Sequence, residues 1–370
     1  MKPMSAIYYF INNIKKILPV GISICLGVMF FYFLFLAGRQ ATEFNYATHI
    51  KPNEYFSRIS SSKGKPEDIL QEINKNSAVE KIIPLKQFPH IQVSAALGNN
   101  SAGILFLRTE DISYLMESMR LDLMDGDMPK NENEIILHWR IAANKKLRIG
   151  DLFVDSNEIQ NSFKVVGIFD GSSYVGFVPA KIEGSELKDW AEKDLLLIPK
   201  EGKMEQMNAF LSTLPTSEGL TMDLLSQMKL DIQENSKIIN LVMVLLMFIV
   251  IIVLCITLSN TSIMHFYQRK GEFGLLAVVG YSGWEIIRKL WLESVMTYTS
   301  SFFFGIGLSI LWAQLSNILV WNPMGESVPL WDLRGFLITA SIPIFVIIFS
   351  TVPIIRLLRK KDLIQIIDGM

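Results

Sequence analysis

The sequence predicts a membrane protein with four transmembrane α-helices and a large extracytoplasmic α+β domain between helices 1 and 2. Half of its 370 residues are hydrophobic and only 19% are charged, whereas soluble domains carry about 25% charged residues. Four uncharged stretches are long enough to cross roughly 30 Å of hydrocarbon, which takes about 20 helical residues. A long polar segment separates the first two stretches, and we expect it to fold on one side of the membrane.

The predicted domain boundaries follow from the charged residues that flank these stretches. Residues 1–37 hold an N-terminal cytoplasmic segment and span 1, and residues 38–237 form the extracytoplasmic domain. Residues 238–370 contain span 2 (238–258), a cytoplasmic coupling loop (259–293), span 3 (294–320), span 4 (335–355) and a cytoplasmic tail. Span 1 is longer than the apolar core of a signal peptide, about 7–15 residues, so we predict that it is retained.

Basic residues near the spans predict that both termini are cytoplasmic. Such residues collect beside the cytoplasmic ends of membrane helices. The eleven that precede span 1, lie between spans 2 and 3 or follow span 4 are Lys2, Lys15, Lys16, Arg269, Lys270, Arg288, Lys289, Arg356, Arg359, Lys360 and Lys361. The short loop between spans 3 and 4 has only Arg334. We therefore predict a multi-pass membrane protein with residues 38–237 outside.

The pattern of residues 38–237 is typical of an α+β domain. Short β-branched and aromatic runs bounded by turn residues predict strands at 81–85, 91–96, 103–108, 134–139, 163–169 and 195–199. Residues 66–75 predict a short helix. The two ends, 38–55 and 219–237, have helical spacing of apolar residues. They either extend spans 1 and 2 outward as a two-helix stalk or pack against the domain.

Common catalytic and cofactor motifs are missing from the sequence. It contains no G-x-x-x-x-G-K-[ST], no H-E-x-x-H and no G-x-S-x-G. Its four histidines are scattered, and both cysteines, Cys25 and Cys255, lie in predicted spans. A net charge of −1 argues against nucleic-acid binding. We predict that the chain is not an enzyme and binds no metal or cofactor, and its substrate-binding residues stay unknown.

The cytoplasmic loop between spans 2 and 3 has an unusual pattern at residues 267–281. Arg269 and Lys270 are followed by Glu272 and then by an apolar, glycine-punctuated helix. This helix either lies at the membrane surface and docks into a groove on a cytoplasmic partner, or connects the spans without a partner. Glu293 lies at the edge of span 3. An ionisable residue is costly there unless it reaches the interface or a partner.

In this loop the sequence resembles the FtsX-like permeases of ATP-binding-cassette (ABC) systems, whose four-span members include the MacB-type exporters. The family signature is a basic cluster followed by E-x-G-hydrophobic-L-x-A-x-G, matched by Arg269, Lys270, Glu272, Gly274, Leu276 and Gly280. Further family positions match Glu293, Gly305, Pro353, Arg356 and Arg359. Residues 38–237 also resemble the MacB-type core, at Gly126, Pro129, Glu134, Ala142, Gly150 and Asp151.

The resemblance implies a site that couples the chain to an ATPase. The coupling residues are expected to be Arg269, Lys270, Glu272, Phe273, Gly274, Leu275, Leu276 and Gly280, while Glu293 and Gly305 pack span 3. The implied partners are a cytoplasmic ABC ATPase, which binds ATP and Mg, and a second copy or a related permease chain. An extracytoplasmic adaptor is a further candidate partner, and the implied location is a bacterial plasma membrane.

Two functions remain open at this point. One is export or extraction of a hydrophobic or amphipathic substrate such as a peptide, a lipid-linked molecule or a drug. The alternative is a non-transporting signal transducer that regulates a cell-wall hydrolase. Its known examples have smaller outside domains than the one predicted here, which favours export.

Overall fold

The computed structural model describes residues 11–95, 98–154, 162–215 and 219–360. The sequence predictions for Lys2, Ala96, Lys361 and the end of the tail lie outside these ranges. The chain divides into two compact units. The helical unit contains residues up to Ala37, Ile239–Leu315 and the chain from Pro329 onward, and the α+β unit contains Gly38–Ile238 and Ser316–Val328.

The helices and strands are numbered here in chain order. The helices are α1 Ile14–Asn45, α2 Glu67–Lys75, α3 Thr109–Ser118, α4 Trp139–Asn144, α5 Met204–Leu211, α6 Leu225–Gln268, α7 Lys270–Val278, α8 Gly283–Ser316, α9 Leu333–Thr339 and α10 Ser341–Lys360. The strands are β1 Ser57–Ser61, β2 Val79–Leu85, β3 His90–Ala95, β4 Gly98–Leu107, β5 Asp122–Gly126, β6 Glu134–His138, β7 Leu152–Phe153, β8 Phe163–Asp170, β9 Val175–Pro179, β10 Asp194–Pro199 and β11 Leu220–Asp223.

Four helical stretches of the described chain are long and apolar enough to span a membrane. They are Ile17–Ile50, Leu225–Gln268, Gly283–Met324 and Leu333–Pro353. Two of them include a π-helical turn, Tyr46–Ile50 after α1 and Asn317–Trp321 after α8. The α+β unit is formed mainly by the chain between the first two stretches, so the predicted fold class is confirmed. The predicted span limits stay predictions, because helix ends do not mark the edges of the lipid.

Small residues allow the membrane helices to pack closely. A Cβ atom on Gly305 of α8 would lie 2.7 Å from the Cys25 carbonyl oxygen and 2.8 Å from Val28 Cβ of α1. A Cβ on Gly335 of α9 would meet the Phe35 ring at 2.4 Å. The buried Tyr32 hydroxyl accepts a hydrogen bond from the Asp332 N–H at 3.0 Å. Glycine at 305 and 335 therefore permits contacts that any larger residue would prevent.

The α+β unit contains two sheets. The smaller sheet has the order β11-β1-β10-β2, and all its pairs are antiparallel. The larger sheet has the order β3-β4-β9-β6-β8-β5, with β7 also paired to β8, and it is mixed because the β4–β9 and β6–β8 pairs are parallel. Along β4, Ile104 and Phe106 point into one core while Leu105 and Leu107 point into another. This alternation is the normal side-chain period of a strand.

The predicted helix over residues 219–237 is wrong at its start. Leu220–Asp223 forms β11, which pairs antiparallel with β1, and α6 begins at Leu225. Leu220 and Leu224 are four residues apart, which is a helical spacing, yet both pack in the core beside the small sheet. Backbone pairing with β1 overrides the local pattern here.

Candidate functional site

Arg269 is the single residue between α6 and α7, and it joins both helices to α8. Its Nη1 donates to Glu293 Oε2 at 2.6 Å, while its Nε and Nη2 donate to the two Glu272 carboxylate oxygens at 2.8 and 2.9 Å. The side chains of Arg269 and Glu293 are only 9% and 7% exposed. Removing one partner from such a buried pair lowers the folding stability by about 3–5 kcal/mol, because it leaves the other charge uncompensated.

Lys289 completes this ionic network from α8. Its Nζ donates to Glu272 Oε1 at 2.7 Å, and its side chain is buried. Burial by itself raises the pKa of the Glu272 carboxyl, but hydrogen bonds from Arg269 and Lys289, together with their positive charges, outweigh it and lower the pKa to about 2. Glu272 is therefore a carboxylate at physiological pH. The network contains two positive and two negative side chains.

A small apolar core lies next to the network. Phe273 and Leu276 of α7 pack there with Phe266 of α6 and with Ile286 and Leu290 of α8. The rings of Phe266 and Phe273 are stacked with centroids 5.4 Å apart. The Arg269 guanidinium lies 4.8 Å from the Phe273 ring centroid, within reach of a cation–π interaction. One face of α7 is thus fixed by apolar and ionic contacts together.

The C-terminal end of α7 presents apolar side chains to its surroundings. Leu275, Val278 and Val279 are 69%, 84% and 68% exposed, and Trp284 at the start of α8 is 68% exposed. Exposed apolar groups clustered in this way are typical of an interaction site. We call Leu275, Val278, Val279 and Trp284 the apolar tip.

The turn from α7 to α8 is specified by its sequence. Gly280 has a φ of +103°. The Gly280 N–H donates to the Ala277 carbonyl and the Tyr281 N–H donates to the Leu276 carbonyl, each at 3.0 Å, which is a Schellman motif. Ser282 and Glu285 then form a capping box: the Glu285 carboxylate accepts from the Ser282 N–H at 2.7 Å. These two motifs end one helix and start the next within a few residues.

The structure brings together some of the predicted residues and separates others. Arg269, Glu272 and Glu293 meet in the network, and Phe273, Gly274 and Leu276 are buried beside it. Leu275 is exposed at the tip, Lys270 is half-buried at the start of α7, and Gly280 makes the turn. Gly305 lies farther along α8 against α1. That these residues couple to an ATPase stays a prediction.

The role of Lys289 was not predicted from the sequence, in which this residue served only to orient the chain in the membrane. Lys289 and Glu293 are four residues apart, so they lie on the same face of a helix. That spacing could have indicated that both charged side chains join the same ionic network. Glu293 is satisfied by the neighbouring Arg269 rather than by reaching the interface.

A small cavity of about 80 Å³ lies beside the Arg269–Glu293 pair. It is lined by residues of α1, α6 and α8 together with Arg269: Ile17, Val20, Ser262, His265, Phe266, Leu290, Glu293, Ser294, Thr297 and Tyr298. It is far smaller than the roughly 300–1,000 Å³ of a typical ligand pocket. Within the described ranges there is also no group of three or more His, Cys, Asp or Glu residues placed to hold a metal ion.

The helical unit defines a class of membrane domain: two long helices joined by a short, ion-paired helix with an exposed apolar tip. Residues 242–363 match the family described as FtsX-like permease C-terminal. This part of the chain is therefore an FtsX-like permease domain, and the predicted family is confirmed for it. The matched range contains all the predicted coupling residues as well as Glu293 and Gly305.

The chain is also similar to an uncharacterized ABC transporter permease, YvcS, of Bacillus subtilis (strain 168), with 30% identity over 129 residues. This stretch covers 33% of the chain and 19% of YvcS, so the chain spans less than a fifth of that relative.

Two solved structures are similar at low sequence identity. The periplasmic region of MacB from Actinobacillus actinomycetemcomitans is 11% identical with a TM-score of 0.28, over 48% of this chain and 92% of that structure. The extracellular domain of YknZ, a noncanonic ABC-type transporter from Gram-positive bacteria, is 10% identical with a TM-score of 0.27. The similarity covers 45% of this chain and 98% of that structure.

Proposed function

We propose that the chain is the permease subunit of an ABC transporter and that the apolar tip of α7 docks on its cytoplasmic ATPase. The observation that carries the proposal is an exposed tip on a short helix whose opposite face is fixed by the Arg269–Glu272–Lys289–Glu293 network. The tip offers an apolar anchor for a groove on a partner. ATP and Mg bind to that partner, and the chain itself is not an enzyme.

Movement of the ATPase would reach the rest of the chain through rigid elements. Because ion pairs hold α7 to α8 and only Arg269 separates α7 from α6, a push on the tip displaces both long helices. The α6 helix continues without a break from Gln268 back to Leu225, directly after β11 of the α+β unit. Rigid helices of this kind are the elements that carry coupling between distant sites.

The proposed work of this motion is export or extraction of a hydrophobic or amphipathic substrate from the outer side of a bacterial plasma membrane. In this arrangement both termini are cytoplasmic and the α+β unit is outside. A second permease chain, identical or related, completes the membrane part, and an extracytoplasmic adaptor binds the α+β unit in systems that use one.

The docking proposal is tested with Val278→Asp. Val278 is the most exposed residue of the tip, and a carboxylate there would be desolvated inside an apolar interface. We expect at least a roughly tenfold loss of ATPase on affinity purification from mild detergent, since central interface residues contribute about 2 kcal/mol or more. The measurement is the stoichiometry of a Walker-type ATPase that co-purifies with the chain.

The matched control is Val154→Asp, which places the same charge at an exposed valine of the α+β unit, 65% exposed. It should retain the ATPase at the wild-type ratio. A wild-type ratio for Val278→Asp would refute docking at the tip. A properly folded wild-type chain that repeatedly purifies alone would refute the ABC assignment itself.

A further inference from the structure

Ser316, the last residue of α8, and the short segment that follows it to Val328 belong to the α+β unit. The Asn317 side chain closes it into a loop, because its Nδ2 donates to the Val328 carbonyl and its Oδ1 accepts from the Val328 N–H, both at 2.8 Å. The Met324 carbonyl accepts from Asn144 Nδ2 of α4 at 3.3 Å. Gly325, with a φ of +73°, approaches the Arg140 backbone so closely that a Cβ would lie 2.8 Å from its Cα.

Glu326 is the buried acidic residue of this segment. Its side chain is only 3% exposed. Oε2 accepts a hydrogen bond from Gln40 Nε2 of α1 at 2.5 Å and lies 3.5 Å from Arg140 Nη1 of α4. Oε1 is buried without a hydrogen-bond partner among the described residues. A buried carboxylate with one unsatisfied oxygen carries a larger desolvation penalty than the neutral acid.

The charges around Glu326 do not fully compensate it. Arg140 lies 5.1 Å from the ring centroids of both Trp139 and Tyr174, so its guanidinium is shared with two aromatic faces. Besides Arg140, the Tyr174 hydroxyl faces Glu326, and the Glu326 charge contributes to raising the pKa of Tyr174, which burial raises first.

We propose that Glu326 is a protonation-dependent latch, which holds residues 316–328 in the α+β unit when its carboxyl is neutral and releases them when it is ionised. Release on ionisation agrees with the raised pKa of the Glu326 carboxyl. Burial raises the pKa of Glu326 from its ordinary value of 4.5 to about 7, although Arg140 and the Gln40 hydrogen bond oppose the rise. The packed segment thus binds a proton that the released segment gives up. The contribution of Glu326 to the stability of the packed segment is complete below about pH 4.5 and falls as the pH rises towards 7.

The latch lies beyond the proposed function, because it acts within one chain and needs no ATPase. If the α+β unit is outside, as we propose, the latch senses the pH outside the cytoplasm.

The latch is tested by hydrogen–deuterium exchange on the full-length chain in lipid nanodiscs, at pH 5.5 and 8.0, with rates corrected for intrinsic pH dependence. We expect the protection of residues 316–328 to fall about tenfold or more at pH 8.0, as a pKa difference of this size implies. Glu326→Gln, which keeps the shape of the neutral acid, should be protected equally at both pH values. Protection of the β8 amides from exchange shows whether each variant is folded.

The matched control is Glu201→Gln at an exposed glutamate of the α+β unit, which should keep the wild-type pH dependence. Equal wild-type protection at both pH values would overturn the latch, and so would unchanged pH dependence in Glu326→Gln. The wild-type comparison decides the question even if Glu326→Gln fails to fold. Because no ATPase is present, the result is independent of the docking experiment.

Discussion

At the scale of single residues, the glycines of the coupling loop have different physical roles. Gly280 adopts a φ of +103°, which ends α7 and starts the turn to α8. Gly271 lies in α7, and a Cβ there would meet nothing within 4 Å. Gly274 is buried within α7. Only Gly280 is required for its backbone conformation, because a left-handed residue with a side chain is strained by roughly 1–2 kcal/mol.

This difference gives a matched pair of alanine variants. Gly280→Ala should lower the opening free energy of the α7–α8 turn by roughly 1–2 kcal/mol, whereas Gly271→Ala should not lower it, since alanine is the better helix former. Amide hydrogen exchange across residues 270–286 measures the opening free energy of the turn in both variants. Equal protection in the two variants would mean that the turn tolerates other conformations.

The environments of Glu293 and Glu326 could not be predicted from the sequence. The loop pattern placed Arg269, Glu272 and Glu293 in one region, but left open whether Glu293 reaches the interface or a partner. The choice depends on a distance across two helices, 2.6 Å from Arg269 to Glu293, which no local pattern contains. The raised pKa of Glu326 was equally hidden, because its burial depends on packing against Gln40 and Arg140, far away in the chain.

At the scale of elements, the ion-paired network makes α7 a rigid extension of α8 rather than a loose loop. Both Arg269 and Glu293 are buried, so their pair is protected from solvent screening. Arg39 and Glu43 form a pair of the same chemistry at 2.9 Å, but their side chains are 45% and 60% exposed. We therefore expect that replacing the arginine by alanine lowers the free energy of unfolding by different amounts in the two pairs.

Arg269→Ala should destabilise the chain by about 3–5 kcal/mol, because it leaves Glu293 buried without its partner. Arg39→Ala should cost less than about 1 kcal/mol, as is usual for exposed pairs. Reversible unfolding in mixed micelles compares the two variants with wild type. A cost for Arg269→Ala no larger than that for Arg39→Ala would show that the network does not stabilise α7.

Elements with a clear pattern of their own could be predicted from sequence, and others could not. The strands predicted at 81–85 and 163–169 exist as β2 and β8, and the helix predicted at 66–75 exists as α2. The missed strand β9 is buried at every residue, so it lacks the polar–apolar alternation of a half-buried strand, and Gly176 and Pro179 interrupt its strand-favouring Val and Phe residues. It forms because β4 and β6 pair with it on either side.

At the scale of the whole molecule, the order of membrane helices and soluble domain followed from charge and apolar length alone. The assignment of residues 316–328 to the α+β unit did not, because residues 318–321 are apolar and continue the pattern of the preceding span. This segment includes a π-helical turn and a 3-10 turn, and its position is fixed by contacts with α1 and α4. Long-range polar contacts of this kind have no signature in a hydropathy pattern.

The proposed orientation predicts which parts of the chain a membrane-impermeant maleimide can reach. In a background with Cys25→Ala and Cys255→Ala, Glu201→Cys in the α+β unit should be labelled in intact cells. Gly271→Cys in α7 should be labelled only after detergent permeabilisation. Both positions are exposed, and a Cβ at 271 has open space, so accessibility within the fold does not distinguish them. The cysteine-free background should stay unlabelled throughout. The reverse pattern would place α7 outside the cell, where no ATPase could dock, and would refute the coupling proposal together with the topology.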